Sequence, residues 1–393
     1  MFSTDIFNIN SLKTIGKKTL IGQGSYGCVI QPAVSNNFIK EYIKYDDINQ
    51  EDVGKLFRPN SEDSFKKELK ILNGIQKIDI NNSFTVKLKG ANVFNSSIIK
   101  DNTVLRCLDI QDKNTNSYNE QVVYQIILEN GGKELYDVPK NSIQFDKFIE
   151  LFKNLLRGIQ KLHNYDIIHQ DIKPANILIS DKKISVIDFG ISDKANNIYN
   201  KNNKDILEYL YPFYPPEFYI ASLLLKYRNN KERFVQKLDI VLDTMQKEYF
   251  HKLFKESQIY NIRNQLQDFI NDIKLHNYDY HDVFNKELAY KCDIYGIGFI
   301  IRELANKIIY TSENQKIIVY NLYKMCTEIN PYKRTSLNDL ISYIQTTSNI
   351  KSLKTLEQIG GNKKNGMKRL YISKIELKGC NHKTPCKCKK TYK

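Results

Sequence analysis

Hydrophobic order begins near Lys17, after a polar start that carries no periodic pattern. Two apolar runs, around Leu20 and Val29, flank a glycine-rich turn and read as a pair of strands. The period then turns helical. Phe65, Leu69, Ile71, Leu72 and Ile75 recur at three and four, which predicts a helix over 64–75. Strand-like runs follow at 84–88 and 104–110 between Asn- and Ser-rich turns, and 121–129 is the strongest strand of the region. From Phe145 the helical period returns through Phe148, Phe152, Leu155, Ile159 and Leu162, so a long helix with one continuous apolar face is expected. Two short apolar runs, 177–179 and 184–187, predict strands joined by a turn at Asp181-Lys182-Lys183. Beyond them, 223–273 is polar with apolar residues at helical spacing, including Phe234, Leu238, Val241, Leu242, Met245, Tyr249 and Leu253, and further helices are expected to about residue 350. Strands crowd the first third and helices the rest, an α+β pattern.

At 393 residues the chain can bury a sizeable core and hold two lobes. Its formal net charge of +15 would suit nucleic acid or a membrane surface, but the lysines are scattered. Heavy use of Asn, Ile, Lys and Tyr with no Trp is the skew that AT-rich codons produce. The charge does concentrate at the end: residues 351–393 hold twelve Lys and one Arg against two Glu, so a basic, flexible tail is expected there, with at most weak attraction for nucleic acid. Seven cysteines spread through the chain argue against a disulfide framework and for an intracellular, reducing compartment, cytoplasmic with virion or nucleus left open. Neither a signal peptide nor a membrane span is expected. His251, His276 and His281 lack partners at metal spacing. Cys380, His382, Cys386 and Cys388 have the ligand types for zinc at an unusual spacing; reduced cysteines in a tail are the plainer reading.

Chemistry concentrates in 169–190, where His-Gln-Asp-Ile-Lys-Pro-Ala-Asn is followed by Asp188-Phe189-Gly190, Asp188 standing seventeen residues after Asp171. Phosphoryl transfer needs a carboxylate to receive the hydroxyl proton, a lysine to neutralise the moving phosphate and oxygen ligands for magnesium. Asp171, Lys173, Asn176 and Asp188 can supply these. Upstream, Ile21-Gly22-Gln23-Gly24-Ser25-Tyr26-Gly27-Cys28-Val29 is a G-x-G-x-x-G-x-V element, whose glycines let backbone fold closely over phosphates while Ile21 and Val29 sandwich a purine. A dinucleotide-binding fold would follow the glycines with a helix; here Pro32 ends what reads as a second strand.

These motifs together resemble the eukaryotic-type protein kinase family, matching its catalytic loop at every position but Gln170, where most members carry arginine. The resemblance implies a two-lobed α+β fold with a small β-rich N-lobe over 1–130, a larger helical lobe over 131–350 with an insertion at about 219–288, and the tail. It implies ATP and Mg2+ as cofactors, serine or threonine hydroxyls of protein substrates as acceptors, Asp171 as base with Lys173 beside it, and Asn176 and Asp188 as metal ligands. Gly22, Gly24 and Gly27 would cover the phosphates, and a hinge near Glu129 would meet the adenine through its backbone. Glu68 is the expected partner of a phosphate-holding lysine, for which two candidates stand. Lys55 lies thirteen residues before Glu68, an arrangement similar to kinases of large DNA viruses, while Lys40 lies eleven after Val29. Glu217 and Arg334 would form a buried pair, Asp293 would support the catalytic loop, and Gln170 suggests activity without phosphorylation of the segment 188–217. Leu210, where serine/threonine-selective members carry threonine, leaves substrate positioning open. A binding-only pseudokinase and a small-molecule kinase are the alternatives; the resident Asp171 and Asp188 oppose the first and the Pro-Pro-Glu closure at Glu217 the second.

Overall fold

The computed structural model describes residues 19–23, 27–35, 38–43, 48–110, 120–198, 213–227, 229–244, 256–276 and 283–357. The chain divides into a β-rich unit, comprising Met1–Lys133, Arg157–Asp171 and Asn176–Ile198, and a mainly helical unit made of Glu134–Leu156, Ile172–Ala175 and Tyr199–Lys393.

The first unit is built on a six-stranded antiparallel sheet of β1 (Thr19–Gln23), β2 (Gly27–Gln31), β3 (Phe38–Ile43), β4 (Val53–Phe57), β5 (Leu88–Asn95) and β6 (Val122–Leu128), in the order β1-β2-β4-β6-β5-β3. Alternation decides its two faces. Cys28, Ile30, Leu56 and Val123 point to one face and pack with Phe94 and the apolar side of helix α2 (Asn102–Cys107). On the opposite face Phe57 and Tyr124 meet Phe65 of helix α1 (Glu62–Ile78).

Helix α2 corrects the expected strand over 104–110. Val104, Leu105, Cys107 and Leu108 all bury on one side, and the Asp101 side chain accepts the Thr103 N–H at 2.7 Å. A capped N-terminus followed by apolar residues at i, i+1, i+3 and i+4 is a helical signal that a short run of branched residues conceals. The run at 84–88 likewise makes a single bridge, Thr85 to Val186, before β5 begins at Leu88. A second correction concerns the cysteines: Cys28 and Cys107 are joined by a disulfide across a sequence separation of 79, while Cys292 and Cys326 are buried outside any disulfide.

Helix α3 (Phe145–Asn164) is continuous over the predicted span. Its Gly158 lies against the Phe84 ring, which a side chain there would displace. Strands Ile177–Ile179 and Ile184–Val186 then pair as a hairpin. In the helical unit, Lys286–Ala305 is buried along most of its length and is capped by Asn285, whose side chain accepts the N–H groups of Glu287 and Leu288. It packs on Glu313–Cys326. Helices Pro216–Lys226, Lys231–Thr244 and Glu256–Leu275 fill the region where the sequence predicts added helices; Phe234 and Leu238 bury as their spacing demands. Val241 and Leu242 have no described side chain, and Met245, Tyr249, Leu253 and the tail beyond 357 lie outside the described residues. Within the unit, Asn330 donates to Asp272 at 2.7 Å, which ties the third of those helices to the 330 loop, and the Tyr332 hydroxyl donates to Val283 O at 2.9 Å.

Candidate active site

Strand register sets the first group of side chains. Val29 of β2 stands directly opposite Lys55 of β4, so both project from the face toward α1. Glu68 lies two turns into α1 and is buried with Phe65, Leu69 and Leu72. The Lys55 ammonium donates to both Glu68 oxygens at 2.6 and 2.8 Å and to Asp188 Oδ1 at 2.7 Å. Burial works against the Lys55 charge, but the carboxylates of Glu68 and Asp188 outweigh it and hold the lysine pKa above its ordinary value. The Glu68 pKa is raised too, but by burial, which outweighs the pull of Lys55. One ammonium therefore joins a helix carboxylate to the carboxylate of the Asp-Phe-Gly motif.

Lys40 does not join this group. It lies on the edge strand β3, paired with Val93 of β5 and separated from β4 by β5 and β6, with its ammonium over the Tyr42 ring at 4.5 Å. The spacing to Val29 that suggested it assumed that the strand after β2 returns beside it; β3 lies at the far edge of the sheet instead.

The second group is the loop around Asp171. His169 is fully buried, accepts the Asp171 N–H on Nδ1 at 3.2 Å, and therefore carries its proton on Nε2, which donates to Ile187 O at 3.1 Å. Its ring also meets Phe189, with centroids 4.7 Å apart. Asn176 donates its amide hydrogens to Asp171 O at 2.8 Å and to Asp171 Oδ2 at 3.0 Å. That leaves the Asn176 carbonyl oxygen as the atom that could hold a metal. Gln170 and Asp188 hold left-handed backbone at φ 68° and 67°. Such conformations cost about 1–3 kcal/mol in non-glycine residues and cluster at functional sites; here one precedes Asp171 and the other is the motif aspartate itself. The Gln170 amide donates to Ile191 O at 2.5 Å, and Ser192 Oγ to His169 O, so the chain after Asp188 is tied back to the loop. Lys173 falls in the Ile172–Ala175 stretch of the helical unit, where the Ile172 backbone lies against Gly296 so closely that no side chain fits at 296.

The glycine turn divides by cause. A Cβ at Gly27 would collide with Leu56 O on β4, so sheet packing alone requires glycine there. At Gly22 the nearest atom to a Cβ would be Val29 Cβ at 3.5 Å, an ordinary contact, and the fold does not explain the missing side chain. Ile21 is 46% exposed beside it. Gly24 lies outside the described residues. After β6, the Glu129 N–H donates to Lys87 O at 2.9 Å, and the two glycines that follow approach the Ile177–Ile179 strand: Gly131 faces the Leu178 side chain, and Gly132, at φ 107°, faces Ile179 O.

The protein kinase domain model matches residues 15–221, which includes Lys55, Glu68, Asp171, Asn176 and Asp188. The chain belongs to the protein kinase family. Among curated proteins it is similar to the probable serine/threonine-protein kinase irlC of Dictyostelium discoideum, 26% identical over 45% of this chain and 11% of that protein. It is also similar to sperm motility kinase 2B of Mus musculus, 35% identical over 25% of this chain and 20% of that one. The stress-activated protein kinase JNK of Suberites domuncula is 26% identical over 54% and 49% respectively. The chain thus spans about half or less of the length of these relatives.

Arg334 lies beyond the matched segment, in the helical unit, and forms the expected pair with Glu217. Arg334 donates to Glu217 Oε1 at 2.5 Å and Oε2 at 3.0 Å, both side chains fully buried, with further bonds to Glu328 O and Lys291 O. Leu210 lies outside the described residues, and Asp293 is buried in the Lys286–Ala305 helix.

Sequence reasoning missed the supports behind the kinase site. Asp79, just past α1, accepts from the backbone N–H and hydroxyl of Ser83 and Thr85 and the N–H of Phe84. Burial opposes its charge, yet these donors hold its pKa below the ordinary aspartate value. Lys183, from the 180–183 turn, donates to Asn82 O and Thr85 O at 2.7 Å each and so ties the same loop to the hairpin that leads to Asp188. Gln125 exchanges hydrogen bonds with Val34 N and O and donates to Asn92, fixing β6 behind Gly54. A glutamine inside the apolar run Tyr-Gln-Ile-Ile-Leu was a visible signal for this.

Proposed function

We propose that the chain is an ATP-dependent protein kinase that transfers the γ-phosphate of ATP to serine or threonine hydroxyls of protein substrates. The observation that carries the reading is the single ammonium of Lys55 held between Glu68 and Asp188. That arrangement spends a buried cation on holding the motif aspartate, which an inert fold has no reason to do.

The residues present suit Mg2+ and ATP. Asp188, 42% exposed at its side chain, and the Asn176 carbonyl oxygen are hard oxygen donors of the kind magnesium takes. The side-chain gap at Gly22 suits close backbone approach to phosphates, and Val29 beside Lys55 offers an apolar surface to a base. Bound Mg2+·ATP would supply the phosphoryl group and neutralise charge developing on its oxygens. The protein's part is positioning. Lys55 holds phosphate oxygens, Gly22, Gly24 and Gly27 cover them, and Ile21 and Val29 flank the base. Backbone near Glu129 meets the adenine edge, and Leu178, half-buried beside Gly131, adds an apolar side chain close to that backbone. Asp171, oriented by Asn176, receives the proton of the attacking hydroxyl, and Lys173 offsets charge on the transferred group. Lys173-Pro174 resembles the serine/threonine-directed form of this loop, and the names of the relatives agree in class. Among the described residues no helix is long and apolar enough to cross a membrane.

Incubation with γ-labelled ATP, Mg2+ and a generic basic protein, followed by phosphoamino acid analysis, tests the proposal. Label on serine or threonine, lost on chelation of Mg2+, is expected. Label on tyrosine alone, or on small alcohols and aminoglycosides but not protein, overturns it.

A further inference from the structure

We propose that Cys28 and Cys107 form a reversible thiol–disulfide site that exchanges with small disulfides and controls the order of β2 beside Gly27. Its link to nucleotide binding rests on the function proposed above. Cys28 directly follows Gly27, on the sheet face opposite Val29 and Lys55, and Cys107 is the last residue of α2. Their Cα atoms are 6.1 Å apart, within the range a disulfide spans without moving backbone.

The surroundings suit both oxidation states. Cys28 Sγ lies 4.0 Å from Val104 O on α2, and Cys107 Sγ lies 3.8 Å from Gly27 O on β2. In the reduced protein each thiol therefore has a carbonyl acceptor on the opposite element. The apolar residues around the pair, Ile30, Leu56, Val104 and Leu108 among them, keep α2 against the sheet in either state. The two states differ in the covalent tie between α2 and the residue next to Gly27. With the tie in place, β2 cannot shift on β4 without carrying α2; without it, α2 is held to β2 only by dispersion and two weak hydrogen bonds, and the β2–β4 ladder resists the shift unaided.

Glutathione disulfide is the oxidant. Cys107, 4% exposed against 0% for Cys28, is the first to react when the six-residue α2 lifts. Its thiolate attacks one glutathione sulfur, forming a mixed disulfide and releasing one glutathione. The Cys28 thiolate then attacks Cys107 Sγ, the internal bond forms and the second glutathione leaves. The two protons lost by the protein thiols are taken up by the two departing glutathione thiolates, and two electrons pass from the protein thiols to the glutathione disulfide.

The test equilibrates the full chain with mixtures of reduced and oxidised glutathione, traps thiols by alkylation and identifies the linked peptides by mass spectrometry. Amide hydrogen exchange over residues 19–31 and affinity for Mg2+·ADP are measured on the same samples. Complete 28–107 cross-linking that reverses in dithiothreitol is expected, with exchange in 27–31 about tenfold slower in the oxidised form. Mg2+·ADP affinity should weaken about threefold or more on reduction as the ordered form of β2 becomes less populated. A Cys28→Ala/Cys107→Ala variant should show neither response. Persistent alkylation of both cysteines at every glutathione ratio overturns the proposal, as does cross-linking with unchanged exchange. Absence of ADP binding in both states, with exchange still redox-dependent, would instead overturn the nucleotide reading and leave the thiol site standing.

Discussion

Replacing Lys55 by methionine tests the bridge at the centre of the site. Methionine keeps the length and apolar stem of the side chain and removes the ammonium. Glu68 side-chain exposure is 3%, so its carboxylate loses its cation while it remains out of water. Breaking a buried pair from one side costs about 3–5 kcal/mol. The Asp188 half of the bridge adds little, about 1 kcal/mol at most, because that side chain is 42% exposed and solvent screens it. Glu68 can relieve the penalty by taking up a proton. Burial already raises its pKa above the ordinary value near 4.5, and removing Lys55 raises it further. Between 4.5 and that raised value the folded state holds a proton that the unfolded state has lost, so stability falls as pH rises through the window and levels off above it. The deficit of the variant should accordingly be larger at pH 8 than at pH 5, by about 1.4 kcal/mol for each unit that Lys55 removal adds to the Glu68 pKa. Urea unfolding followed by far-ultraviolet circular dichroism is the suitable assay, since the chain has no tryptophan for fluorescence. A loss under about 1 kcal/mol at pH 8, or equal losses at both pH values, would refute the reasoning.

Glu217→Ala should destabilise the helical unit by about 3–5 kcal/mol because it strands the fully buried Arg334 guanidinium, and chemical denaturation measures it. A loss below about 1 kcal/mol would mean that the backbone carbonyls around Arg334 suffice. Gly27→Ala should cost about 1–3 kcal/mol by pushing on Leu56, whereas Gly22→Ala should leave stability within about 0.5 kcal/mol and weaken nucleotide binding. Equal stability effects at the two positions would contradict the division of causes. Asp79 has a depressed pKa, so its stabilising effect is complete above the ordinary value of 3.8 and fades as pH falls through the lower folded value. Asp79→Asn should remove that acid dependence and cost about 1–3 kcal/mol at neutral pH; an unchanged acid unfolding profile would count against it.

What could be read from the chain was whatever depended on local period or on motif spacing. The helices α1 and α3, the hairpin after Asn176 and the Asp171, Asn176 and Asp188 positions all follow from residues close together in sequence. Long-range strand order did not. Lys40 and Lys55 stand in similar apolar contexts, and only the register of β4 on β2, against β3 on β5, separates them. Residues 104–110 went wrong because a six-residue helix with branched side chains has too few turns for its period to outweigh β propensity. Cys28 and Cys107 are 79 positions apart, and a single pairing among seven cysteines carries no spacing signature. Asp79, Lys183 and Gln125 work through backbone atoms, which sequence patterns do not label.

The most direct measurement compares Asp171→Asn with the unaltered chain, in nucleotide affinity and in phosphate transfer from ATP to protein under single-turnover conditions. Asn176 donates to Asp171 both at the carboxylate and at the backbone oxygen, and the second bond survives the substitution, so the loop should hold its shape. Affinity for Mg2+·ATP should stay within about threefold, while the transfer rate falls by about 10²–10⁴ as expected for loss of a proton acceptor. Transfer within about threefold of the unaltered rate would contradict the account.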